Sequence, residues 1–227
     1  MHVLVDLDGT LLDPKPGILG SIQYALSRLR APVPPINELG WAIGPPLRTT
    51  FPRLLGSPDQ TEEAVALYRE NYRNGAMYDA IVYPGIPCAL DALAAAGCRL
   101  IIATAKPHTF ARPILEHFDV ARHFVGIYGP ELDGTNDSKA DLIAHIVERE
   151  GVCPETAVMI GDRQFDVIAA AANRMRTVGV TWGYGSVEEL SAAGATALCN
   201  TPGTLARTAL GLLGPANKLV RTGPIVA

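Results

Sequence analysis

His2-Val-Leu-Val-Asp6-Leu-Asp8-Gly9-Thr10 is the stretch that decides the fold. Val3 to Val5 is apolar, brief and bounded by turn residues, which reads as a short buried strand. Asp6 and Asp8 stand at its C-terminal end, two positions apart, so strand geometry points both carboxylates the same way. Gly9 and Thr10 break the strand at once. Two carboxylates forced together repel each other, and a divalent cation is the obvious way to offset that cost.

Outward from this strand the chain changes rhythm twice. A proline-marked break, Asp13-Pro14-Lys15-Pro16-Gly17, is followed by helical spacing with no convincing strand from about 17 to 78. Ile18, Ile22, Leu26 and Leu29 share one face, and Pro32 to Pro35 stop that helix. Further helices are expected at 36–43, 47–55 and 60–75. From Tyr83-Pro84-Gly85 onward, strands and helices alternate. Strands are expected at 99–103, 124–128, 157–160, 177–180 and 196–199. Helices are expected at 86–96, 107–118, 137–150, 165–173, 186–193 and 202–213. Such alternation implies an α/β fold: a Rossmann-like parallel sheet with helices on both faces. The expected organisation is a core from 1–14 and 82–214, an inserted helical cap at 15–81, and a C-terminal tail at 215–227.

Bulk properties narrow the function classes. The 227 residues suffice for a sizeable core, and a net charge of −4 gives no reason to expect a nucleic-acid polymer or an anionic membrane as partner. The four cysteines form no CxxC or short-range pair and read as free thiols in a reducing compartment. With no signal segment and no apolar run of transmembrane length, the expectation is a cytoplasmic protein, monomeric or weakly dimeric.

In open α/β sheets, ligands bind beyond the carboxyl ends of the strands. Asp6 and Asp8 follow the first strand, Thr104 and Lys106 follow Arg99–Ala103, and Asp162 and Asp166 follow Ala157–Ile160. Lys139 sits at a helix start, where backbone N–H groups favour anions. Singly, each has a plainer reading. Asp6-x-Asp8-Gly-Thr is a turn, Thr104 a helix cap, Lys139 a solvated helix residue and Asp162 a turn residue. Together, in this order, they are hard to obtain from structural needs alone.

The chemistry they suggest is phosphoryl transfer. Asp6 is the candidate nucleophile and Asp8 the candidate acid–base residue. Asp6, Asp162 and the Asp8 main chain are candidate Mg²⁺ ligands, with Asp166 behind them. Lys139, Thr104 and the N–H groups around Gly9 and Thr10 are candidate phosphate binders.

These residues resemble the haloacid dehalogenase superfamily, and within it the Mg²⁺-dependent phosphatases. Asp6-Leu-Asp8-Gly-Thr10 is similar to the first motif of that family, Thr104 to the second, Lys139 to the third and Gly161-Asp162-Arg163-Gln-Phe-Asp166 to the fourth. Tyr83-Pro-Gly-Ile, Thr104-Ala-Lys-Pro107, Leu132-Asp-Gly134 and Trp182-Gly-Tyr-Gly-Ser186 are similar to the phosphoglycolate phosphatase and 5′-nucleotidase-like branch. That branch often carries Ser at the position of Ala105 and glycines near Ala169 and Arg174.

The resemblance implies hydrolysis of a small phosphomonoester through an aspartyl-phosphate. A phosphomutase and a non-catalytic binding protein on the same fold are the alternatives. Asp8 separates the chain from the dehalogenases, which lack a second carboxylate. The absence of lysine from 17–78 separates it from phosphonate hydrolases, which need one in the cap. Substrate choice falls to the cap, where Gly44-Pro45-Pro46-Leu47-Arg48 is the notable loop. Pro45 and Arg48 are its candidate specificity residues. The plainer reading is that Gly-Pro-Pro only separates two helices.

Overall fold

A computed structural model of the protein describes residues 1–132 and 137–213. The expected tail at 215–227 and the Asp133-Gly134 pair lie outside the described residues. In chain order the elements are β1 (His2–Val5), β2 (Leu12–Asp13), α1 (Lys15–Arg28), α2 (Leu47–Leu55), α3 (Thr61–Arg73), β3 (Ile81–Val82), α4 (Ile86–Ala95), β4 (Arg99–Ala103) and α5 (His108–His117). They continue as β5 (Phe124–Tyr128), α6 (Lys139–Glu150), β6 (Val158–Gly161), α7 (Gln164–Ala172), β7 (Arg176–Val180), α8 (Val187–Ala192), β8 (Ala197–Cys199) and α9 (Pro202–Leu213).

Six strands form one parallel sheet in the order β5-β4-β1-β6-β7-β8. β1 is central because it is apolar on both faces: Val3, Leu4 and Val5 are all fully buried. Val3 and Val5 pack with α1, α4, α5 and α9 residues such as Leu19, Leu90, Ile114 and Leu205. Leu4 points the other way, onto Leu142, Ile143 and Ile146 of α6 and Ala170 of α7. This is the period-2 alternation of a strand covered by helices on both sides.

The chain winds one way through β1, β4 and β5, then the other way through β6, β7 and β8. The reversal beside β1 opens a crevice at the carboxyl edge. Register fixes what meets there. Val5 is level with both Ile102 and Ile160, so Asp6, Thr104 and Asp162 all leave the sheet within one or two residues of the same line.

Over 17–78 the structure is helical, as the spacing predicts, with one difference. The segment expected as a helix at 36–43 is two 3₁₀ turns, Ile36–Glu38 and Gly40–Ala42. Each is three residues long, and Leu39 and Ile43 between and after them are buried against the rest. Gly40 lowers the helical preference at the junction, and burial of these apolar residues takes over. Helices α1 and α3 pack through Ile18, Ile22 and Leu26 on one side and Ala64, Tyr68 and Tyr72 on the other.

A second departure is a two-stranded antiparallel ribbon, β2 with β3, pairing Leu12 with Val82 and Asp13 with Ile81. Tyr83 N–H extends it by donating to the Leu11 carbonyl at 3.0 Å. Two-residue strands carry no periodicity, which is why spacing does not reveal them. The four cysteines are free thiols, Cys98 and Cys199 buried, Cys88 and Cys153 exposed. Among the described residues no helix is long and apolar enough to cross a membrane.

Candidate active site

Asp6 follows the last residue of β1, and its N–H still bonds the Ile160 carbonyl of β6 at 2.9 Å. Its carboxylate Oδ1 accepts from Lys139 Nζ at 2.9 Å. Lys139 is the first residue of α6, a helix capped by Ser138, whose side chain accepts from Asp141 N–H. The same ammonium contacts Asp166 Oδ1 on α7. Asp166 also closes a capping box by accepting the Arg163 N–H at 3.1 Å. Asp162 sits between, fully buried, with Oδ2 accepting the Tyr184 N–H at 2.7 Å.

Asp6, Asp162 and Asp166 therefore bring carboxylate oxygens within 4.8 Å of one another. Three buried acids share one lysine. Burial, then repulsion from Asp6 and Asp166, pushes the Asp162 carboxyl well above the usual range. Burial likewise raises Asp166, to about 6, against the pull of Lys139. Burial works against the Lys139 charge, yet Asp166 and Asp6 outweigh it and hold the ammonium above the ordinary lysine value. An oxygen-only donor set with excess negative charge fits a hard divalent cation such as Mg²⁺. Asp166, expected behind the candidate metal ligands, brings a carboxylate oxygen within the same 4.8 Å cluster.

This arrangement has a measurable consequence for stability. A carboxyl whose folded pKa is raised holds more protons folded than unfolded. Metal-free protein is therefore expected to lose stability as pH rises from about 4 through about 6, the value for Asp166. Mg²⁺ needs the ionised acids, so its stabilising effect is expected to grow over the same window. Thermal unfolding with and without Mg²⁺, at about pH 5 and about pH 7.5, checks this. A Mg²⁺ shift of equal size at both pH values would count against the site.

Asp8 takes a different direction. Its expected contribution to the metal is through the main chain, which leaves the side chain for other work. Oδ2 pairs with Lys106 Nζ at 3.0 Å, while Oδ1 is buried and finds no hydrogen-bond partner among the described residues. Burial raises the Asp8 pKa, and Lys106 opposes it without cancelling it. Thr104 is buried, and its hydroxyl accepts the Lys106 N–H at 3.1 Å, leaving its own proton to give. Thr104 is not the helix cap: α5 begins after Pro107 without a side-chain cap, and the Thr104 hydroxyl closes a turn with Lys106 instead.

Gly9 and Thr10, expected to bind phosphate, have other occupations. Gly9 N–H donates to the Leu12 carbonyl at 2.8 Å and Thr10 N–H to the Leu7 carbonyl at 3.3 Å. The Thr10 hydroxyl donates to Asp162 Oδ1 at 3.3 Å, and Thr10 is fully buried. Thr10 thus holds Asp162, and Gly9 leaves room for its carboxylate. Gly9 lies at φ +82°, and a Cβ there would stand 2.2 Å from Asp162 Oδ2. That collision, together with the left-handed backbone, accounts for the glycine.

Trp182-Gly-Tyr-Gly-Ser186 supplies the facing wall. Trp182 Nε1 donates to the Thr10 carbonyl at 3.1 Å, and the Tyr184 hydroxyl donates to Asp13 Oδ1 on β2. A Cβ on Gly183 would stand 2.4 Å from the Asp162 side chain. Arg163 is turned away from the acids. Its Nε pairs with Glu189 at 2.8 Å and its Nη1 donates to the Ile43 carbonyl at 2.8 Å.

Asp6, Asp8, Thr104, Lys139 and Asp162 line one cavity. The opposite wall comes from the helical block: Ile18, Ile43, Pro45, Arg48, Tyr68 and Tyr72. Pro45 thus faces the acids across the cavity. Arg48 does so too, but its guanidinium is engaged by Glu62, Nε to Oε1 at 2.7 Å and Nη2 to Oε2 at 3.1 Å. Tyr72 is the residue that sequence reasoning missed as a member of the site, and Lys106, placed at the strand exit, was given no role there. The signal was present for Lys106, two residues beyond Thr104 on the same strand exit.

A family model described as haloacid dehalogenase-like hydrolase matches residues 3–180. The chain is 45% identical over 199 residues to a 5′-nucleotidase of Pseudomonas aeruginosa, across 87% of this chain and 90% of that protein. It is 42% identical over 188 residues to tyrosine-protein kinase PtkA of Mycobacterium tuberculosis, across 82% of this chain. It spans only 64% of that kinase. Among solved structures, a predicted phosphatase from Clostridium acetobutylicum matches with a TM-score of 0.88 and 38% identity, over 92% of this chain and 98% of that one.

Proposed function

The chain belongs to the haloacid dehalogenase-like hydrolase family and is a phosphatase, and from that premise we propose a Mg²⁺-dependent hydrolase of nucleoside monophosphates that works through an aspartyl-phosphate on Asp6. The observation that carries this reading is the single cavity on which Asp6, Asp8, Thr104 and Lys139 meet. Asp6 attacks phosphorus as the bond to the leaving oxygen breaks, and Asp8 gives that oxygen a proton. Asp8 then takes a proton from the water that hydrolyses the acyl phosphate, which frees phosphate and restores Asp6. Lys139 and the Thr104 hydroxyl hold the phosphoryl oxygens throughout. Asp6 and Asp162, with Asp166, would hold Mg²⁺, whose charge lets a carboxylate approach a phosphate dianion.

The helical block, acting as a cap, selects the leaving group. Its wall is apolar and aromatic: Ile18, Ile43, Val65 and the stacked pair Tyr68 and Tyr72, whose ring centroids are 5.3 Å apart. Phe110 of α5 meets Tyr72 edge-on at 5.4 Å. Of the cations lining the cavity besides Lys139, Arg48 pairs with Glu62, Arg163 with Glu189 and Lys106 with Asp8, while Arg69 donates to the Leu132 carbonyl. A two-carbon acid would ask for a cation to meet its carboxylate. A planar base asks for the surface that this wall offers.

The test is a substrate panel of nucleoside monophosphates, phosphoglycolate, sugar phosphates and pyrophosphate. Nucleoside monophosphates are expected to lead phosphoglycolate in kcat/KM by about tenfold or more, the equivalent of about 1.4 kcal/mol of extra binding in the transition state. EDTA is expected to abolish all turnover and Mg²⁺ to restore it. Activity that survives thorough chelation would defeat the metal assignment. An arm with ATP and a tyrosine peptide answers the kinase resemblance; phosphotyrosine formation there would replace hydrolysis as the reading.

A further inference from the structure

Lys106 is an unusual lysine. It is 8% exposed, although lysine is almost never buried without partners. Its ammonium pairs with Asp8 Oδ2 at 3.0 Å and donates to the Tyr72 hydroxyl. Its N–H is fixed on Thr104 Oγ1 at 3.1 Å. One side chain thus ties the end of β4 to the carboxylate that follows β1 and to α3 of the helical block.

We propose that Lys106 is a positioning residue for Asp8 and that Tyr72 sets Lys106, so that the acid–base carboxylate takes its working direction only with α3 seated on the core. The inference rests on the phosphatase reading, in which Asp8 handles the leaving-group proton. The geometry explains how. A carboxylate on a strand exit rotates about its side-chain bonds unless something pins it. Lys106 occupies Oδ2, which leaves Oδ1 as the oxygen that exchanges protons; Oδ1 is the atom with no hydrogen-bond partner among the described residues, and Asp8 lies on the cavity wall. As Asp6 bonds to phosphorus and the bond to the leaving oxygen breaks, the proton on Oδ1 passes to that oxygen.

Tyr72 is a firm anchor for the other end. It is 2% exposed, stacked on Tyr68 at an interplanar angle of 18° and held edge-on by Phe110 at 85°. Tyr68 and Tyr72 lie on α3, whereas Phe110 lies on α5 of the core. The hydroxyl therefore reaches Lys106 only while α3 rests against α5. Substrate bound between them is met by an oriented Asp8, and an open cavity is not.

Leaving groups that differ in their need for a proton provide the test. Single-turnover release is measured for nucleoside from a nucleoside monophosphate, which needs protonation, and for p-nitrophenolate from p-nitrophenyl phosphate, which does not. Asp8→Asn defines the pattern of a lost acid. Lys106→Met is expected to slow nucleoside release about 100-fold, and p-nitrophenolate release less than about 5-fold. Tyr72→Phe is expected to move the same ratio in the same direction by a smaller factor, and Lys106→Arg to recover part of it. Equal losses on both substrates in Lys106→Met and in Tyr72→Phe would mean a merely structural role and overturn the proposal. Should Lys106→Met fail to fold, Tyr72→Phe, which retains both the ring and the lysine, decides alone. If Asp8→Asn leaves the ratio of the two rates unchanged, the premise about Asp8 fails first, and the proposal with it.

Discussion

Asp6→Asn is expected to abolish turnover and the covalent intermediate together while leaving the fold intact. The amide oxygen can still accept from Lys139, which stands 2.9 Å from Asp6 Oδ1. What disappears is the anionic nucleophile, and with it one of three charges in the acid cluster. The loss in turnover is expected to be at least about 10⁴-fold, as for removal of the nucleophile in other covalent enzymes. Because repulsion within the cluster eases, the metal-free variant is expected to melt at or above the wild-type temperature. Its response to Mg²⁺ should shrink. Intact-mass measurement after acid quench of a substrate mixture is the decisive check. A phosphorylated Asp6→Asn protein would sink the nucleophile assignment.

The second large effect is expected from Lys139→Met. Lys139 is the cation between Asp6 and Asp166, and the pair it makes is buried. Removing one partner of a buried ion pair typically costs about 3–5 kcal/mol, because the remaining charges have neither water nor a counter-ion. Stability without metal is expected to fall by that order at neutral pH. It should recover as the pH drops, and at a higher pH than the value of about 6 that Asp166 has beside Lys139, because loss of the ammonium raises that carboxyl further. Mg²⁺ should restore stability further, since it supplies the missing charge. Turnover, however, should remain about 10²- to 10³-fold low, because the metal does not replace the donor on the phosphoryl oxygen. Urea unfolding with and without Mg²⁺ at two pH values separates the two roles. A stability loss independent of pH and metal would show that Lys139 acts through packing alone.

The positions of the strands along the chain and the residues at their ends were legible because they depend on local patterns. Val3–Val5, Leu100–Ala103 and Val158–Ile160 are short apolar runs, each followed within two residues by a polar one. Parallel pairing then brings those ends to one edge, as the levels of Val5, Ile102 and Ile160 bear out. Features that depend on distant partners were not legible. The contact of Lys106 with Tyr72 joins residues 34 apart in sequence, and that of Arg163 with Ile43 joins residues 120 apart. Neither is encoded in spacing. Arg48 was expected at the substrate side and does line the cavity, but its pairing with Glu62, the second residue of α3, could not be read from spacing. Gly9 and Thr10 sit in the most recognisable motif of the chain, where Thr10 bonds Asp162 and Gly9 makes room for it. A motif names the residues that must be together; it does not say which of them faces the solvent side of the cluster.

The β2–β3 ribbon makes the helical block a parenthesis in the chain. Leu12 and Val82 are paired neighbours, so the polypeptide departs and returns at one point. Nothing between them contributes a strand to the parallel sheet. The register of that sheet is consequently indifferent to the length and content of what the parenthesis encloses. A change of length within the enclosed segment would leave in place the register that brings Asp6, Thr104 and Asp162 to one edge of the sheet.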